Sequence, residues 1–384
     1  MVHGLRVLYW QGLDGYKMAD SKIENLTANT TPVSTDILAM VDDPGGSPTT
    51  QKITYANAFK VINDFTADAT PDVTNDVAVT YDNSAAAAKK VALRLFGNGL
   101  FDPGGRLTLT SGTPVTSSDV TSSTSVYYTP YVNNLITLWN GTTWETLTFT
   151  EQTLALGTVT SGLNYDVFGY ISSGALAVEK LAWTSTTARA TAITLQDGRY
   201  CKSGDKTRLY LGTFYTISTT QTADAGGGSV TQTGGKRFVW NMYNRRLRDA
   251  KVIDTTNSWS YTTDTTRQAN GAAGNKIEFV LGLAEDVVNA RGFGVALIAA
   301  NSTRAAKVGC GLDSTTTFSG FIQGGFNNNA AYVYSPVQGE YSGYPAVGYH
   351  YISWNERGAD VNCTFLGDNG GDGQQTGLVA YIWA

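Results

Sequence analysis

The sequence predicts a mainly β protein, in which a small N-terminal module precedes two β-sandwich or jelly-roll-like domains. The first observation is the composition: the 384 residues include 42 glycines and 21 tyrosines, and only 15% are charged. Such a composition is typical of half-buried strands joined by tight turns. The second observation is that short alternating apolar runs recur along the chain, with turn residues between them. We therefore expect less than about a fifth of the chain to be helical.

Residues 1–17 are predicted to be an N-terminal arm, because the sequence from Met18 reads like a fresh protein start. Residues 66–100 are predicted to form a polar connector with one pair of strands. Val77–Tyr81 and Lys90–Phe96 both alternate, and the polar and alanine-rich stretch between them supplies the reversal of the chain.

Residues 18–65 form the small module between these two segments. Asp36–Val41 reads as a strand, the chain becomes extended again at Lys52–Tyr55, and Ala56–Asn63 has the spacing of a short helix. A segment with so few apolar side chains cannot bury a core of its own. We therefore expect it to fold against a neighbouring copy or a docking surface.

Residues 101–230 are predicted to be the first β domain. The run Leu135–Trp139 is followed by Asn140 and Gly141, which is the strongest two-residue hairpin signal in the chain. The segment around Tyr165 is typical of a tyrosine corner, in which a tyrosine hydroxyl pins a crossing loop.

Residues 231–384 are predicted to be the C-terminal β domain, after a loop at 225–235 rich in glycine, serine and threonine. Apolar residues alternate along Ile277–Leu283, and the continuous apolar run Val295–Ala299 is a candidate central strand. Leu378–Trp383 is apolar enough to be a buried closing strand.

Charge and apolar patterning exclude several classes of protein. A net charge of −5 argues against nucleic acid or an acidic membrane as the main partner. No apolar run reaches the ~18 residues of a membrane helix, so we expect no membrane insertion. The three cysteines are odd in number and far apart, which predicts free thiols or inert buried residues.

Candidate catalytic groups are few, and the chain is not predicted to be an enzyme. His350 lies in an alternating strand without a nucleophile motif, so a structural histidine is favoured over a Ser–His–Asp site. Glu278, Glu285 and Asp286 are candidates for paired carboxylates, although solvated strand ends are the usual interpretation. Asp368–Asp372 has oxygen ligands for calcium, but an ordinary glycine turn is favoured. No catalytic residue, metal ligand or cofactor is predicted.

A tyrosine-rich stretch is the candidate binding surface. It contains Tyr332, Tyr334, Tyr341 and Tyr344, and it follows the amides of Asn327–Asn329. Flat aromatic rings with polar groups suit the recognition of a sugar or a protein surface. The alternative is that these are core and turn tyrosines of a β domain.

A basic cluster at Arg245, Arg246 and Arg248 is the second candidate. Interleaved aromatic residues suggest stacking on single-stranded nucleic acid, but the acidic net charge argues against it. Two interpretations of this cluster have about equal support: ion pairs between subunits, and a solvated face. Neither is favoured, since exposed ion pairs contribute little to stability.

Two stretches resemble virion proteins of tailed bacteriophages. The first resembles an N-terminal module found ahead of varied C-terminal domains in phage fibre, spike and head-decoration proteins; it comprises Lys22–Ala28, Met40–Gly46 and Lys52–Thr54. The second resembles a long β-rich region of phage appendage proteins; it comprises Gly105–Gly112, Tyr127–Tyr131, Leu138–Gly141, Phe238–Asn241 and Gly348–Tyr351. No catalytic residue of the family is carried over.

The resemblance implies a structural virion protein on the particle surface, a fibre- or spike-type appendage that mediates host-surface attachment. Residues 18–65 would then be the virion-attachment module, which binds other virion proteins, and the distal domains would face a host-surface glycan or protein. Fibres and spikes are commonly threefold, so a homotrimer is expected. The alternatives are a capsid decoration protein or head fibre and, in another class, a tail-borne polysaccharide depolymerase.

Overall fold

A computed structural model describes residues 101–227, 234–329, 331–367 and 376–384, together with four strands in the first hundred residues. The chain divides into two compact units, Met1–Gly97 and Asn98–Ala384. The strands of the first unit are β1 Ile37–Asp42, β2 Thr49–Thr54, β3 Val77–Asp82 and β4 Ala87–Ala92.

β1 pairs with β2, and β3 pairs with β4, each pair antiparallel. These pairs confirm the extended segments that were predicted from residues 36, 52 and 77. The strand predicted at Lys90–Phe96 begins three residues earlier, at Ala87, because Ala87 pairs with Asp82 across the turn. The predicted arm at 1–17 and the predicted helix at Ala56–Asn63 lie outside the described residues.

The second unit is also built from strands, which confirms the mainly β class. Up to residue 227 they are β5 Gly105–Thr108, β6 Val120–Ser123, β7 Ser125–Pro130, β8 Leu135–Trp139, β9 Trp144–Thr148, β10 Gln152–Ala155, β11 Asn164–Ser172, β12 Ala175–Ala182, β13 Ile193–Gln196, β14 Arg199–Lys202, β15 Asp205–Tyr215 and β16 Thr222–Ala225.

From residue 234 the strands are β17 Lys236–Arg237, β18 Val239–Asn241, β19 Leu247–Ile253, β20 Ser258–Ser260, β21 Thr266–Gln268, β22 Lys276–Leu281, β23 Val288–Ile298, β24 Ala306–Leu312, β25 Phe321–Gly325, β26 Val333–Gly343, β27 Gly348–Arg357, β28 Cys363–Leu366 and β29 Gly377–Trp383. A 3-10 turn at Ala269–Gly271 is the one helical element within the described residues. None of the described helical segments is long and apolar enough to cross a membrane.

The first core lies among β5 to β15. The strand order β12-β11-β15-β14-β13 forms one sheet, β18 joins it at β15, and β10-β7-β5 forms a smaller sheet. Buried side chains of these strands make one apolar cluster, which includes Val126, Ile136, Val167 and Phe214. The backbone N–H of Thr160 donates to the Tyr165 hydroxyl at 2.8 Å, which confirms the predicted tyrosine corner.

The predicted hairpin at Asn140 is present as β8 and β9, but its loop has a different length. Trp139 pairs with Trp144, so four residues connect the strands instead of two. The Asn140 side-chain oxygen accepts the backbone N–H groups of Thr142 and Thr143, each at 2.9 Å. This local bonding favours an Asx-type turn over the tight two-residue turn.

The second core lies between two groups of strands. β22, β24 and β27 form one group, and β19, β29, β23 and β26 form the other. β25 pairs with both β24 and β26, so it connects the two groups along one edge. The predicted central strand Val295–Ala299 overlaps the last four residues of β23, which pairs with β26, β28 and β29.

The predicted closing strand is β29, which lies between β19 and β23. Its burial alternates along the strand: Leu378, Ala380 and Ile382 are buried, whereas Tyr381 and Trp383 are exposed. One face of this strand therefore contributes to the core, and the other faces outward.

The two cores belong to a single compact unit. β18 comes after residue 230 in the chain but pairs with β15 of the first core. Likewise β16, which comes before residue 230, pairs with β17, which comes after it. Phe168 and Tyr210 of the first sheet pack in turn into the second core. The division into domains 101–230 and 231–384 stays a prediction.

All three cysteines are free and buried, as predicted. Burial raises the pKa of Cys201 to about 11 and those of Cys310 and Cys363 to about 12. The thiols therefore stay protonated at neutral pH, and a protonated thiol is a poor nucleophile.

Candidate functional site: an exposed aromatic rim

The predicted asparagine-rich stretch contains a buried residue that fixes the surrounding loops. The Asn327 side chain donates to the carbonyls of Ile298 at 2.8 Å, Ala299 at 3.0 Å and Ala331 at 2.6 Å. Its backbone N–H also donates to the Ser302 hydroxyl at 2.8 Å. Asn327 therefore holds the loop after β25 against the end of β23.

Three aromatic side chains extend outward around this fixed loop. Phe326 is 59% exposed, Tyr332 57% and Tyr334 62%. Phe326 directly precedes Asn327, and Tyr332 directly follows Ala331, the residue whose carbonyl Asn327 binds. Tyr334 lies on β26 opposite Leu297. We call these three residues the aromatic rim.

The rim is suited to recognising another surface. Exposed rings are an apolar contact area with little side-chain freedom to lose, and a phenol adds a hydrogen-bonding group. Sequence analysis predicted Tyr332 and Tyr334 but missed Phe326. The signal for Phe326 was its position directly before Asn327, within the same tyrosine- and amide-rich stretch.

The other two predicted tyrosines lie elsewhere. Tyr341 is partly buried and packs against the second core. Tyr344 is 70% exposed, but it follows the far end of β26. Ten residues of extended chain separate it from Tyr334, which corresponds to about 33 Å. The structure therefore brings Tyr332 and Tyr334 together but not all four tyrosines.

Arg245 of the predicted basic cluster has partners within its own chain. It forms ion pairs with both Glu285 and Asp286. Its guanidinium lies 5.0 Å from the centre of the Trp240 ring. These contacts also show that two of the candidate catalytic carboxylates are held by one arginine.

Arg248 points to a different set of partners. It pairs with Asp224 at 3.4 Å and donates to the Thr116 carbonyl at 2.8 Å. Arg246 is exposed and makes no ion pair with a described residue. The three arginines therefore do not share one partner, and their role between subunits stays a prediction.

His350 is buried, and both of its ring nitrogens have hydrogen-bonding partners within the fold. Its Nδ1 lies 2.7 Å from a carboxylate oxygen of Asp313, and its Nε2 lies 2.8 Å from the Ala346 carbonyl. The ring also packs 5.7 Å from that of Phe279. Neither ring nitrogen faces a serine hydroxyl. The acidic loop Asp368–Asp372 lies outside the described residues.

Comparisons with known proteins identify no family for this chain. No protein-family model and no curated protein matches it. Among solved structures, the functional form of the mosquito-larvicidal Cry4Aa toxin from Bacillus thuringiensis aligns with a TM-score of 0.18 and 9% identity. The alignment covers 77% of this chain and 55% of the toxin chain, so the chain spans about half the toxin's length. A TM-score this low does not indicate a shared fold.

Proposed function

We propose that the chain is a structural virion protein of a tailed bacteriophage, a fibre- or spike-type appendage that attaches to the host surface. The observation that carries the proposal is the aromatic rim, in which three rings more than half exposed surround a loop fixed by Asn327. Exposed aromatic side chains are enriched at protein surfaces that bind partners.

The rest of the proposal rests on the resemblance to virion proteins of tailed bacteriophages. Residues 18–65 bind other virion proteins, the aromatic rim faces a host glycan or protein, and the chain acts without catalysis at the particle surface. Immunogold labelling of particles with antibody against residues 101–384 tests the location. Label along the tail fibres supports the proposal, whereas label on the head favours a decoration protein or head fibre.

We expect the protein to be a homotrimer, because a threefold appendage gives several weak sites avidity on a repetitive surface. Light scattering coupled to size exclusion at micromolar concentration should give three times the 41.0 kDa chain mass. A single-chain mass under those conditions would contradict the trimer of the free protein.

We expect the double substitution Tyr332→Ala/Tyr334→Ala to weaken binding of the purified protein to host cells by about tenfold or more, since aromatic anchors dominate such interfaces. Fluorescently labelled protein and flow cytometry measure this binding. The matched control is Tyr344→Ala, which removes a 70% exposed tyrosine away from the rim. Equal losses in both variants would show that the rim is not the contact surface.

A further inference from the structure

A second group of tyrosines lies on the outer face of the β22–β27 sheet. The rings of Tyr215 and Tyr349 stack with their centroids 4.4 Å apart and their planes 26° apart. Tyr215 is the last residue of β15, and Tyr349 is the second residue of β27, so this stack lies where the two cores meet. Phe238 packs 4.9 Å from Tyr215 and supports the stack from beneath.

A carboxylate lies beside the stack. Oε1 of Glu278 accepts the Tyr349 hydroxyl and lies 3.2 Å from Nζ of Lys276. Tyr351 is the cross-strand partner of Glu278, and its ring centre lies 5.2 Å from the same Nζ. We call Tyr215, Tyr349, Tyr351, Glu278 and Lys276 the tyrosine–glutamate face.

Part of the hydrogen-bonding capacity of this face is unused. Among the described residues, Oε2 of Glu278 has no donor, and the hydroxyls of Tyr215 and Tyr351 have no partner. These three oxygens are not fully buried, so solvent or a ligand can reach them. Burial raises the pKa of Tyr215 and Tyr351, so both phenols remain neutral donors.

From this combination we propose that the tyrosine–glutamate face binds a pyranose unit of a glycan. A pyranose has apolar C–H faces, which pack on aromatic rings, and a ring of hydroxyls, which need acceptors and donors at the edge. Glu278 is the acceptor, Tyr215, Tyr351 and Lys276 are donors, and the tyrosine rings are the platform. This face shares no residue with the aromatic rim. The inference rests on the proposed attachment to a host surface and adds to it a second contact of stated ligand class.

The face contains one carboxylate and one ammonium, which form an ion pair, so its charges balance. Neutral pyranosides are therefore the appropriate probes.

The experiment uses the full chain and three methyl pyranosides, those of glucose, galactose and N-acetylglucosamine. Saturation-transfer NMR detects binding, and titration gives the dissociation constant. Glu278→Gln and Tyr351→Ala should each weaken the tightest of the three by about tenfold. The matched controls are Glu340→Gln and Tyr344→Ala, whose parent side chains are exposed outside this face. Both should bind as the unchanged protein does.

Two results would overturn the inference: saturation transfer from none of the three sugars, or unchanged affinity in both site variants. Circular dichroism checks that each variant is folded. If Tyr351→Ala unfolds, Tyr351→Phe removes only the hydroxyl and takes its place. Host-cell binding separates the two proposals. Loss of sugar affinity in Glu278→Gln with unchanged cell binding supports a sugar site separate from the cell-binding surface. Failure of the unchanged protein to bind cells contradicts the attachment itself but not the sugar site.

Discussion

Replacing Arg189 with alanine should lower the free energy of unfolding by about 3–5 kcal/mol, because it leaves a buried carboxylate without its counter-charge. The Asp166 side chain is 1% exposed, and Nε of Arg189 lies 2.7 Å from it. Arg189 also donates to the Tyr210 hydroxyl at 3.1 Å and to the Gly282 carbonyl at 2.8 Å. One guanidinium thus connects the first sheet to the turn after β22. Urea denaturation followed by tryptophan fluorescence measures the change.

Two further variants show whether the buried charge is the cause. Asp166→Asn/Arg189→Ala should be less destabilised than Arg189→Ala alone, because the double variant no longer buries an unpaired charge. Arg304→Ala is the exposed control: its side chain is 57% exposed, and it pairs with Asp264 at 2.8 Å. It should change stability by less than about 1 kcal/mol. A similar small change for Arg189→Ala would refute this account of the network.

Glu356→Ala should also destabilise the protein by about 3–5 kcal/mol. The Glu356 side chain is fully buried and accepts Trp259 Nε1 at 2.6 Å, Arg267 Nε at 2.8 Å and the Asn270 backbone N–H at 3.1 Å. Truncation removes the acceptor for three donors. Leaving a buried donor without a partner destabilises the folded state by the full desolvation penalty of that group.

The matched control for Glu356→Ala is Glu340→Ala. Glu340 is 58% exposed and pairs with Arg291 at 3.5 Å on the surface of the second core. Its loss should have an effect of less than about 1 kcal/mol. Thermal denaturation monitored by far-ultraviolet circular dichroism compares the two variants. Equal melting temperatures would show that Glu356 is not a structural acceptor.

Local sequence signals predicted much of the fold. Tyr165 was recognised as a tyrosine corner from the run Gly162–Val167, and its partner in the structure, Thr160, is only five residues away. The strand within β23 was recognised because a continuous apolar run is typical of a strand with neighbours on both edges. In both cases the physical cause acts within a short stretch of chain, where a single sequence can reveal it.

Contacts between distant residues were not predictable in this way. Glu356 reads as a surface charge in sequence, and its burial depends on Trp259, 97 residues earlier. Tyr215, Glu278 and Tyr349 meet only because β15, β22 and β27 come together in three dimensions. The aromatic rim was predicted in part, since Tyr332 and Tyr334 are close in sequence. Tyr341 is seven residues from Tyr334 on the same strand, so it lies on the opposite face and packs against the second core.

The position of β29 has a consequence for how the fold would respond to a pulling force. β29 pairs with β19 along its whole length and with β23 from Gly377 to Tyr381, antiparallel to both. Tension applied along this strand would act parallel to it and across both rows of hydrogen bonds, which lie perpendicular to the strands. The bonds would then share the load and break together in shear rather than one at a time, as they do when a hairpin is peeled from its open end.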